Sequence, residues 1–175
     1  MASANTETGT GLWGSNDAGF SSRTDDWATP QAVFAALDAE FRFNLDASAD
    51  ARNAKCPRFF TAADDGLAQQ WQGTVWLNPP YGRHGGGISA WMEKARESAL
   101  AGATVVCLVP ARTDTRWWPE SAMRAAEVRL VRGRLCFGAG NNPAPFPSAI
   151  VVFRPGDDGP PRFSAVSARD LTAGK

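Results

Sequence analysis

Thr74-Val75-Trp76-Leu77-Asn78-Pro79-Pro80-Tyr81 is the stretch of this chain that decides its fold. Its first four residues are apolar or β-branched and predict a short buried strand. The two prolines that follow end the strand, because proline has no backbone N–H to donate to a sheet. The stretch therefore predicts a strand that leads into a stiff loop with an amide and an aromatic ring.

Other strands are predicted on both sides of this stretch. Residues 104–109 form a continuous apolar run, which is typical of a strand covered on both faces of a sheet. Further strands are predicted at 42–48, 128–131, 133–138 and 149–153. Strands that alternate with helices and then follow one another directly indicate an α/β fold with a mostly parallel sheet and an antiparallel C-terminal edge.

Three helices are predicted between these strands. Thr29-Pro30 predicts a helix start, with Thr29 as the N-cap and proline at the first helical position. A second helix follows the glycines 85–87, and a third is predicted over 116–126. Apolar residues at helical spacing are Val33, Phe34, Leu37 and Phe41 in the first helix, and Ile88, Trp91, Met92, Ala95 and Leu100 in the second.

The ends of the chain differ in composition from this central part. Residues 1–24 are rich in Gly, Ser, Thr and Asn, and they predict a disordered N-terminal segment. Proline and glycine interrupt the chain after 155, so 156–175 is predicted to be a flexible tail. One folded domain is therefore expected over 25–155.

The composition excludes several classes of protein. No apolar run approaches the roughly 20 residues that cross a bilayer, and we expect a cytoplasmic protein. Three cysteines without a C-x-x-C pair and a single histidine, His84, predict neither a disulfide framework nor a metal site. The net charge is zero, but six arginines lie between Arg112 and Arg134, and arginine suits phosphates and guanine edges.

The loop after the first strand suits a flat ring that carries an amino group. The lone pair of such an amine is delocalised into the ring, and acceptors that hold both N–H bonds localise it. The Asn78 side-chain oxygen and the Pro79 carbonyl are the two candidates; Pro80 stiffens the loop and Tyr81 offers a stacking face. The predicted chemistry is methyl transfer from S-adenosylmethionine to the exocyclic amine of a flipped base.

Seven segments of the chain form a recognisable set. They are Asp26-Trp27-x-Thr29-Pro30, Asn44-Leu45-Asp46-Ala47-x-Ala49-Asp50, Asn53-Ala54-Lys55-Cys56-Pro57-Arg58-Phe59-Phe60-Thr61, Asp65-Gly66-Leu67, Trp76-x-Asn78-Pro79-Pro80-Tyr81-Gly82-Arg83, Pro110-Ala111-Arg112-Thr113-Asp114-Thr115-Arg116-Trp117 and Arg132-Gly133-Arg134-Leu135-x-Phe137-Gly138. Together they resemble the phage-type Dam family of DNA N-6-adenine-methyltransferases. The resemblance covers about 26–153 and implies a Rossmann-like methyltransferase fold, S-adenosylmethionine as donor and double-stranded DNA as substrate. The spacing from Asp50 to Asn78 is short for a full-sized methyltransferase, so we expect either a trimmed fold or an altered order of motifs.

The resemblance also suggests residues for each part of the site. Larger amino-methyltransferases hold the donor with a glycine-rich loop after the first strand, and here the corresponding segment contains no glycine. Candidates for binding the donor are Thr29, Pro30, Asp46, Ala47, Ser48 and Asp50, with Asp64 or Asp65 for its ribose and adenine. Candidates for binding DNA are Arg83, Arg112, Thr113, Arg116, Arg132 and Arg134.

Alternatives remain open at this point. The loop recognises an amine rather than a base, so N4 of cytosine or an RNA adenine is an alternative target. Asn-Pro-Pro-Tyr also occurs in enzymes that methylate glutamine amides in proteins, which are expected to keep a glycine-rich donor loop. The glycine-free segment makes a DNA-binding module with a decayed donor site a further alternative.

Overall fold

A six-stranded mixed sheet organises the part of the chain that the structure describes. The computed structural model describes residues 27–82, 87–138 and 142–173. None of the helices in these ranges is long and apolar enough to cross a membrane. The strands are β1 (Leu45–Asp46), β2 (Thr74–Leu77), β3 (Thr104–Pro110), β4 (Glu127–Arg132), β5 (Ser148–Phe153) and β6 (Arg162–Ser167), and the helices are α1 (Gln31–Phe41), α2 (Gly87–Leu100), α3 (Trp117–Glu120), a 3₁₀ helix (Ala122–Arg124) and α4 (Ala168–Thr172).

The strands lie in the order β1-β2-β3-β5-β4-β6. β1, β2 and β3 are parallel to one another, β5 is antiparallel to both β3 and β4, and β6 is parallel to β4. The predicted α/β class with a mostly parallel sheet is confirmed. The antiparallel strand β5, however, lies inside the sheet instead of at its edge, because it pairs with β3 on one side and with β4 on the other.

The apolar core lies on both faces of the sheet, as the run at 104–109 predicted. Alternate residues of β3 point to opposite faces, and all six residues from Val105 to Pro110 are buried. Val105, Cys107 and Val109 pack with α2 and α3, whereas Val106 and Leu108 pack with α1 and α4. The fold is therefore a sheet between two helical layers.

The helix predictions hold with three corrections. α1 begins at Gln31, so Pro30 occupies the N-cap position with an extended ψ of 137°, and the Thr29 hydroxyl caps nothing. Leu100 does not belong to the buried stripe of α2, because it is 46% exposed while Ala99 is buried. The predicted helix over 116–126 divides at Ser121 into α3 and the 3₁₀ helix.

Residues 133–138 do not form the predicted strand. Gly133 follows β4 with a φ of +94°, a conformation that turns the chain out of the sheet. The segment then runs to the residues that precede α1, where the Gly138 N–H donates to the Ala28 carbonyl at 2.8 Å. These residues therefore cover the carboxyl edge of the sheet instead of extending it.

The predicted flexible tail at 156–175 is wrong from residue 162 onward. β6 pairs with β4 over six residue pairs, and α4 buries Ala168 and Leu171 against the α1 side of the sheet. The free edge of β4 would otherwise leave backbone groups unpaired, and β6 provides their partners. The folded part accordingly extends beyond 155, and the segment 1–24 lies outside the described residues.

Candidate active site

The candidate site lies where the parallel strands end. β1, β2, β3 and β4 run in one direction, so Asp46, Asn78 and the loop after Pro110 lie at the same edge of the sheet. A cavity of about 440 Å³ opens at this edge. Its lining comprises Trp27, Ala28, Thr29, Asp46, Ser48, Ala49, Asp50, Asn53, Lys55, Phe60, Thr61, Ala62, Asp65, Gly66, Leu67, Trp76, Asn78, Pro79, Pro80 and Trp91.

Two hydrogen bonds fix the orientation of the Asn78 amide in the wall of this cavity. Asn78 Nδ2 donates to the Trp27 carbonyl at 2.6 Å, and the Tyr81 hydroxyl donates to Asn78 Oδ1 at 2.9 Å. A carbonyl only accepts, so the nitrogen must face Trp27 and the oxygen must face Tyr81. Oδ1 keeps a second lone pair, which leaves it able to accept one more hydrogen bond.

Tyr81 lies in a cluster of four aromatic rings. Trp27 stacks on it with centroids 6.4 Å apart, and Phe137 and Phe146 present edges at 6.4 and 5.6 Å. Burial raises the pKa of Tyr81 well above its usual range, so its hydroxyl keeps the proton that it donates. Tyr81 itself does not line the cavity, whereas Trp27 does. The predicted stacking face is therefore covered in this structure by residues of the chain.

Asp46, at the end of β1, is an almost fully buried carboxyl group in the cavity wall. It is 2% exposed, and its carboxylate accepts the backbone N–H groups of Ser48 and Lys55 at 3.3 and 2.9 Å. Burial raises its pKa to about 6, and the two backbone donors oppose that shift only in part. Asp46 is thus an acceptor whose charge changes just below neutral pH.

The other acidic candidates occupy different positions around the cavity. Asp50 lines it, and hydrogen bonds from Arg52, the backbone N–H first, lower the pKa of Asp50. Asp65 also lines it, in a left-handed conformation with φ of 51°. Asp64 does not, because its carboxylate accepts from the Thr61 backbone and hydroxyl at 2.8 and 2.7 Å. Of the two aspartates suggested for ribose and adenine, only Asp65 faces the cavity.

Gly66 allows a close approach of two backbone segments beside the cavity. A Cβ at this position would collide with the Ala47 carbonyl oxygen and with the Trp91 ring. The Gly66 carbonyl also accepts from the Trp71 indole N–H at 2.8 Å. The segment after β1 contains no glycine, and the close backbone contact beside it is made by Gly66 from another loop.

Four of the six predicted donor-binding residues line the cavity. Thr29, Asp46, Ser48 and Asp50 do so, whereas Pro30 precedes α1 and Ala47 is buried in the core. Thr29 is 5% exposed, and its hydroxyl oxygen has no hydrogen-bond partner among the described residues. A buried hydroxyl without a partner is uncommon in folded proteins, and in a cavity wall it indicates a ligand or an ordered water.

The predicted DNA-binding residues are exposed and lie apart from the cavity lining. Arg116 pairs with Glu120 at 2.8 Å, whereas Arg112, Arg132 and Arg134 form no ion pair with any described residue. Arg112 and Asp114 line a second, smaller hollow of about 260 Å³ with Phe146. Thr113 is exposed beside them. Arg83 and His84 lie outside the described residues.

The site combines a cavity lined by three aspartates with a rigidly held asparagine amide that precedes two prolines, at the carboxyl edge of an α/β sheet. These are features of an amino-group methyltransferase. The chain belongs to the Dam family of DNA N-6-adenine-methyltransferases, whose model it matches over residues 18–174. The predicted family is thereby confirmed.

Two phage proteins are similar to this chain. The DNA N-6-adenine-methyltransferase of Escherichia phage T1 is 34% identical over 114 residues, which are 63% of this chain and 46% of that protein. A protein of the same description from Haemophilus phage HP1 (strain HP1c1) is 31% identical over 140 residues, 75% of this chain and 79% of that protein. The match thus spans about half the length of the phage T1 protein and most of the HP1 protein.

The residues of the cavity fit a methyl donor of the size and charge of S-adenosylmethionine. Small-molecule sites commonly enclose roughly 300–1,000 Å³, and this cavity falls within that range. Aspartates suit the amino group and hydroxyls of such a donor, Phe60 and Leu67 offer apolar surface to its flat ring, and Thr29 has an unpartnered hydroxyl. In the described part of the chain, no group of three His, Cys, Asp or Glu residues is arranged to hold a metal ion.

Several residues of the site had no predicted role. Lys55, Phe60 and Leu67 line the cavity but appeared in the sequence only inside segments of family resemblance. Phe137 and Phe146 reach Tyr81 from loops whose course no local pattern indicated. Trp76 and Trp91 are core residues, and each also contributes to the cavity wall.

Proposed function

We propose that this chain transfers a methyl group from S-adenosylmethionine to N6 of an adenine flipped out of double-stranded DNA. The donor supplies an electrophilic methyl group on a sulfonium, which leaves as a thioether while the amine forms a bond to carbon and later loses a proton. The observation that carries the proposal is the Asn78 amide, which two hydrogen bonds hold in the wall of a cavity large enough for the donor.

Asn78 and Pro79 are proposed to accept the two N–H bonds of the adenine amine. The bonds to Trp27 and Tyr81 hold the amide so that its oxygen, and not its nitrogen, is available as the acceptor. Pro80 keeps the preceding carbonyl fixed in the wall of the cavity. Such a preorganised pair of acceptors favours the tetrahedral nitrogen that attacks carbon, because the protein need not rearrange during the reaction.

Tyr81 and Trp27 are proposed to form the walls against which the adenine stacks. Stacking of a base on an aromatic side chain is worth about 1–3 kcal/mol. In this structure the two rings lie against each other at 6.4 Å, so a base that stacks on Tyr81 must displace Trp27 or enter beside it. This role makes Trp27 part of the base pocket together with the predicted Tyr81.

The donor is proposed to lie along the cavity from Thr29 to Leu67. Its methionyl end faces Thr29 and Asp46, and its adenosine faces Asp65, Phe60 and Leu67. In this direction the sulfonium methyl would lie between the two ends of the donor, and Pro79 and Asn78, which also line the cavity, would face it. Ser48 and Asp50 lie between the two ends and are proposed to bind hydroxyl groups.

The surroundings of the site agree with a DNA substrate and with a short methyltransferase sheet. Arg112, Arg132 and Arg134 follow β3 and β4 at the carboxyl edge, and we propose that they contact phosphates together with Thr113, Arg116 and Arg83. The sheet is proposed to be a trimmed Rossmann-like methyltransferase sheet. The relatives belong to phages, so the cytoplasm of a bacterial host is the proposed place of action.

A product assay tests this proposal. The protein is incubated with labelled S-adenosylmethionine and unmethylated duplex DNA, and the digested nucleosides are identified by mass spectrometry. We expect N6-methyladenine with the natural chain and a loss of at least about 100-fold with Asn78→Ala, since one preorganised acceptor contributes on the order of 10²–10³ in rate. Asn44→Ala is the matched control, because Asn44 is exposed beside Gly73, away from the cavity.

The same assay separates the competing functions. N4-methylcytosine as the product would overturn the adenine assignment and keep the amine chemistry. Methylation of RNA but not of duplex DNA would change the substrate class. DNA binding without any methylated product, and without binding of S-adenosylhomocysteine, would identify a binding module with a decayed donor site.

A further inference from the structure

The charges around the cavity are unevenly distributed. Its lining contains three carboxyl groups, from Asp46, Asp50 and Asp65, and Lys55 is the one basic residue among the lining residues that the structure describes. The methionyl end of the proposed donor carries an ammonium and a carboxylate side by side. The aspartates suit the ammonium, but the carboxylate needs a positively charged hydrogen-bond donor from the protein.

Lys55 is held by hydrogen bonds of both its backbone and its side chain. Its backbone N–H donates to Asp46 Oδ2 at 2.9 Å, which anchors the residue to the end of β1. Its ammonium donates to Gln31 Oε1 at 3.1 Å, which directs the side chain to the beginning of α1. The half-buried Lys55 side chain therefore crosses the wall of the cavity from Asp46 towards Thr29 and α1.

The ammonium of Lys55 retains capacity for an anion. An ammonium has three donors, and the neutral amide of Gln31 occupies one of them. No carboxylate of the described residues lies within ion-pair distance of Lys55. By contrast, Arg96, Arg129 and Arg154 are each paired with an acidic side chain. Lys55 thus forms no ion pair with a described residue, and its solvent-exposed ammonium acts on the Asp46 carboxylate only from a longer distance.

The start of α1 adds further anion-binding groups at the same place. No side chain caps this helix, and its first turn contains no acidic residue, so the positive end of its dipole is not compensated. Thr29 precedes the helix in the cavity wall, and its buried hydroxyl has no partner among the described residues. A buried hydroxyl without a partner and a lysine without an ion pair among the described residues therefore line the same cavity, and the uncapped start of α1 follows Thr29 directly in the chain.

We propose that Lys55 binds the carboxylate of the donor's methionyl group, with the Thr29 hydroxyl and the first turn of α1 beside it. This inference rests on the proposed function, because it assigns a subsite within the proposed donor cavity. It makes Lys55 a donor-binding residue and Gln31 a residue that positions its ammonium. Binding of the carboxylate at this end directs the adenosine towards Phe60 and Leu67 and the methyl group towards Pro79.

Binding calorimetry with two ligands tests the assignment. S-adenosylhomocysteine carries the carboxylate, and S-adenosyl-3-thiopropylamine is its counterpart without it. We expect Lys55→Met to weaken binding of the first ligand by about tenfold or more, as for a lost hydrogen bond between charged groups, and to change binding of the second little. Lys55→Arg keeps the charge and is expected to retain most of the affinity.

The control variant is Lys94→Met, which changes a lysine of α2 that does not line the cavity and is expected to bind both ligands like the natural chain. Circular dichroism and thermal unfolding verify that each variant is folded. Natural protein that binds neither ligand would refute the donor cavity itself, and Lys55 with it. Natural protein that binds S-adenosylhomocysteine, with Lys55→Met binding it equally well, would refute the Lys55 assignment alone. An equal loss of affinity for both ligands in Lys55→Met would also refute the assignment, because the lysine would then stabilise the cavity as a whole.

Discussion

At the scale of single residues, the site depends on a few side chains whose surroundings decide their chemistry. Asn78 is an ordinary amide made rigid by a carbonyl on one side and a hydroxyl on the other. Asp46 is an ordinary carboxyl group made basic by burial. The residue types are visible in the sequence, but the pKa of Asp46 and the orientation of the Asn78 amide follow from contacts with residues far along the chain.

The raised pKa of Asp46 predicts a pH-dependent stability. Its value is about 6 in the folded chain against 3.8 for an unperturbed aspartate, so the folded state binds the proton more tightly than the unfolded state does. The stability that this group contributes is fully present below pH of about 4 and is lost as the pH rises through about 6. Two pKa units correspond to on the order of 3 kcal/mol.

Urea unfolding of the natural chain and of Asp46→Asn at several pH values measures this effect. We expect the difference in unfolding free energy, natural chain minus variant, to fall as the pH rises from 4 to 7. Histidine in general changes its charge between about pH 5 and 8, and His84 is the single histidine of the sequence, so His84→Gln serves as the control. A difference that stays constant with pH would contradict the raised pKa.

At the scale of elements, the C-terminal strand and helix change the picture of the chain's end. Residues 162–167 alternate weakly and are largely exposed, which is why they resemble a tail in the sequence. Their backbone nevertheless pairs fully with β4, and α4 then folds back onto α1. Backbone pairing and two buried side chains are sufficient to make this segment part of the domain.

Leu171→Ala tests whether α4 contributes to the stability of the domain. Leu171 is 6% exposed and packs in the core with residues of α1, so its truncation is expected to cost about 2–5 kcal/mol of unfolding free energy. Leu100→Ala is the matched control, because Leu100 is 46% exposed and its truncation should have a small effect. Denaturant unfolding provides the measurement. Equal stability of Leu171→Ala and the natural chain would indicate that this segment is a loose tail after all.

At the scale of the whole molecule, the two edges of the sheet carry different charged groups. The carboxyl edge holds the cavity and the exposed arginines 112, 132 and 134. The opposite edge holds Glu127, whose carboxylate pairs with Arg129, Arg154 and Arg162. The arginines at that edge are thus paired with carboxylates within the protein, whereas arginines 112, 132 and 134 form no ion pair with a described residue and are the ones proposed to contact phosphates.

The salt dependence of DNA binding tests this division. Each arginine that neutralises a phosphate releases counterions. Arg112→Ala and Arg134→Ala should therefore each make the negative slope of log affinity against log salt shallower by about 1. Arg162→Ala, at the opposite edge and 80% exposed, should leave the slope unchanged. Fluorescence anisotropy over a series of salt concentrations measures the slopes. An equal decrease in all three variants would contradict a binding face at the carboxyl edge.

Local pattern predicted the strands and helices best where burial is complete. The run at 104–109 and the stretch 74–77 were found because every residue in them is apolar or β-branched, and such residues favour strands whatever lies beside them. The Thr29 cap, the strand at 133–138 and the tail at 156–175 were predicted wrongly. The Thr29 cap failed locally, because the helix begins one residue later and Pro30 takes the N-cap position. For the other two segments the outcome depends on a partner distant in sequence, Ala28 for Gly138 and β4 for β6.

The sequence by itself determined the family and the α/β class, and it supplied the residues proposed as acceptors in the reaction, because these depend on residue types and local spacing. Only the tertiary structure decided that β5 lies inside the sheet, that Trp27 holds Asn78, and that Lys55 lies beside Thr29 in one cavity wall. The physical reason is that the cavity is formed by segments separated by up to about 60 residues. Their proximity results from the pairing of strands and the burial of two apolar faces, which no single stretch of sequence contains.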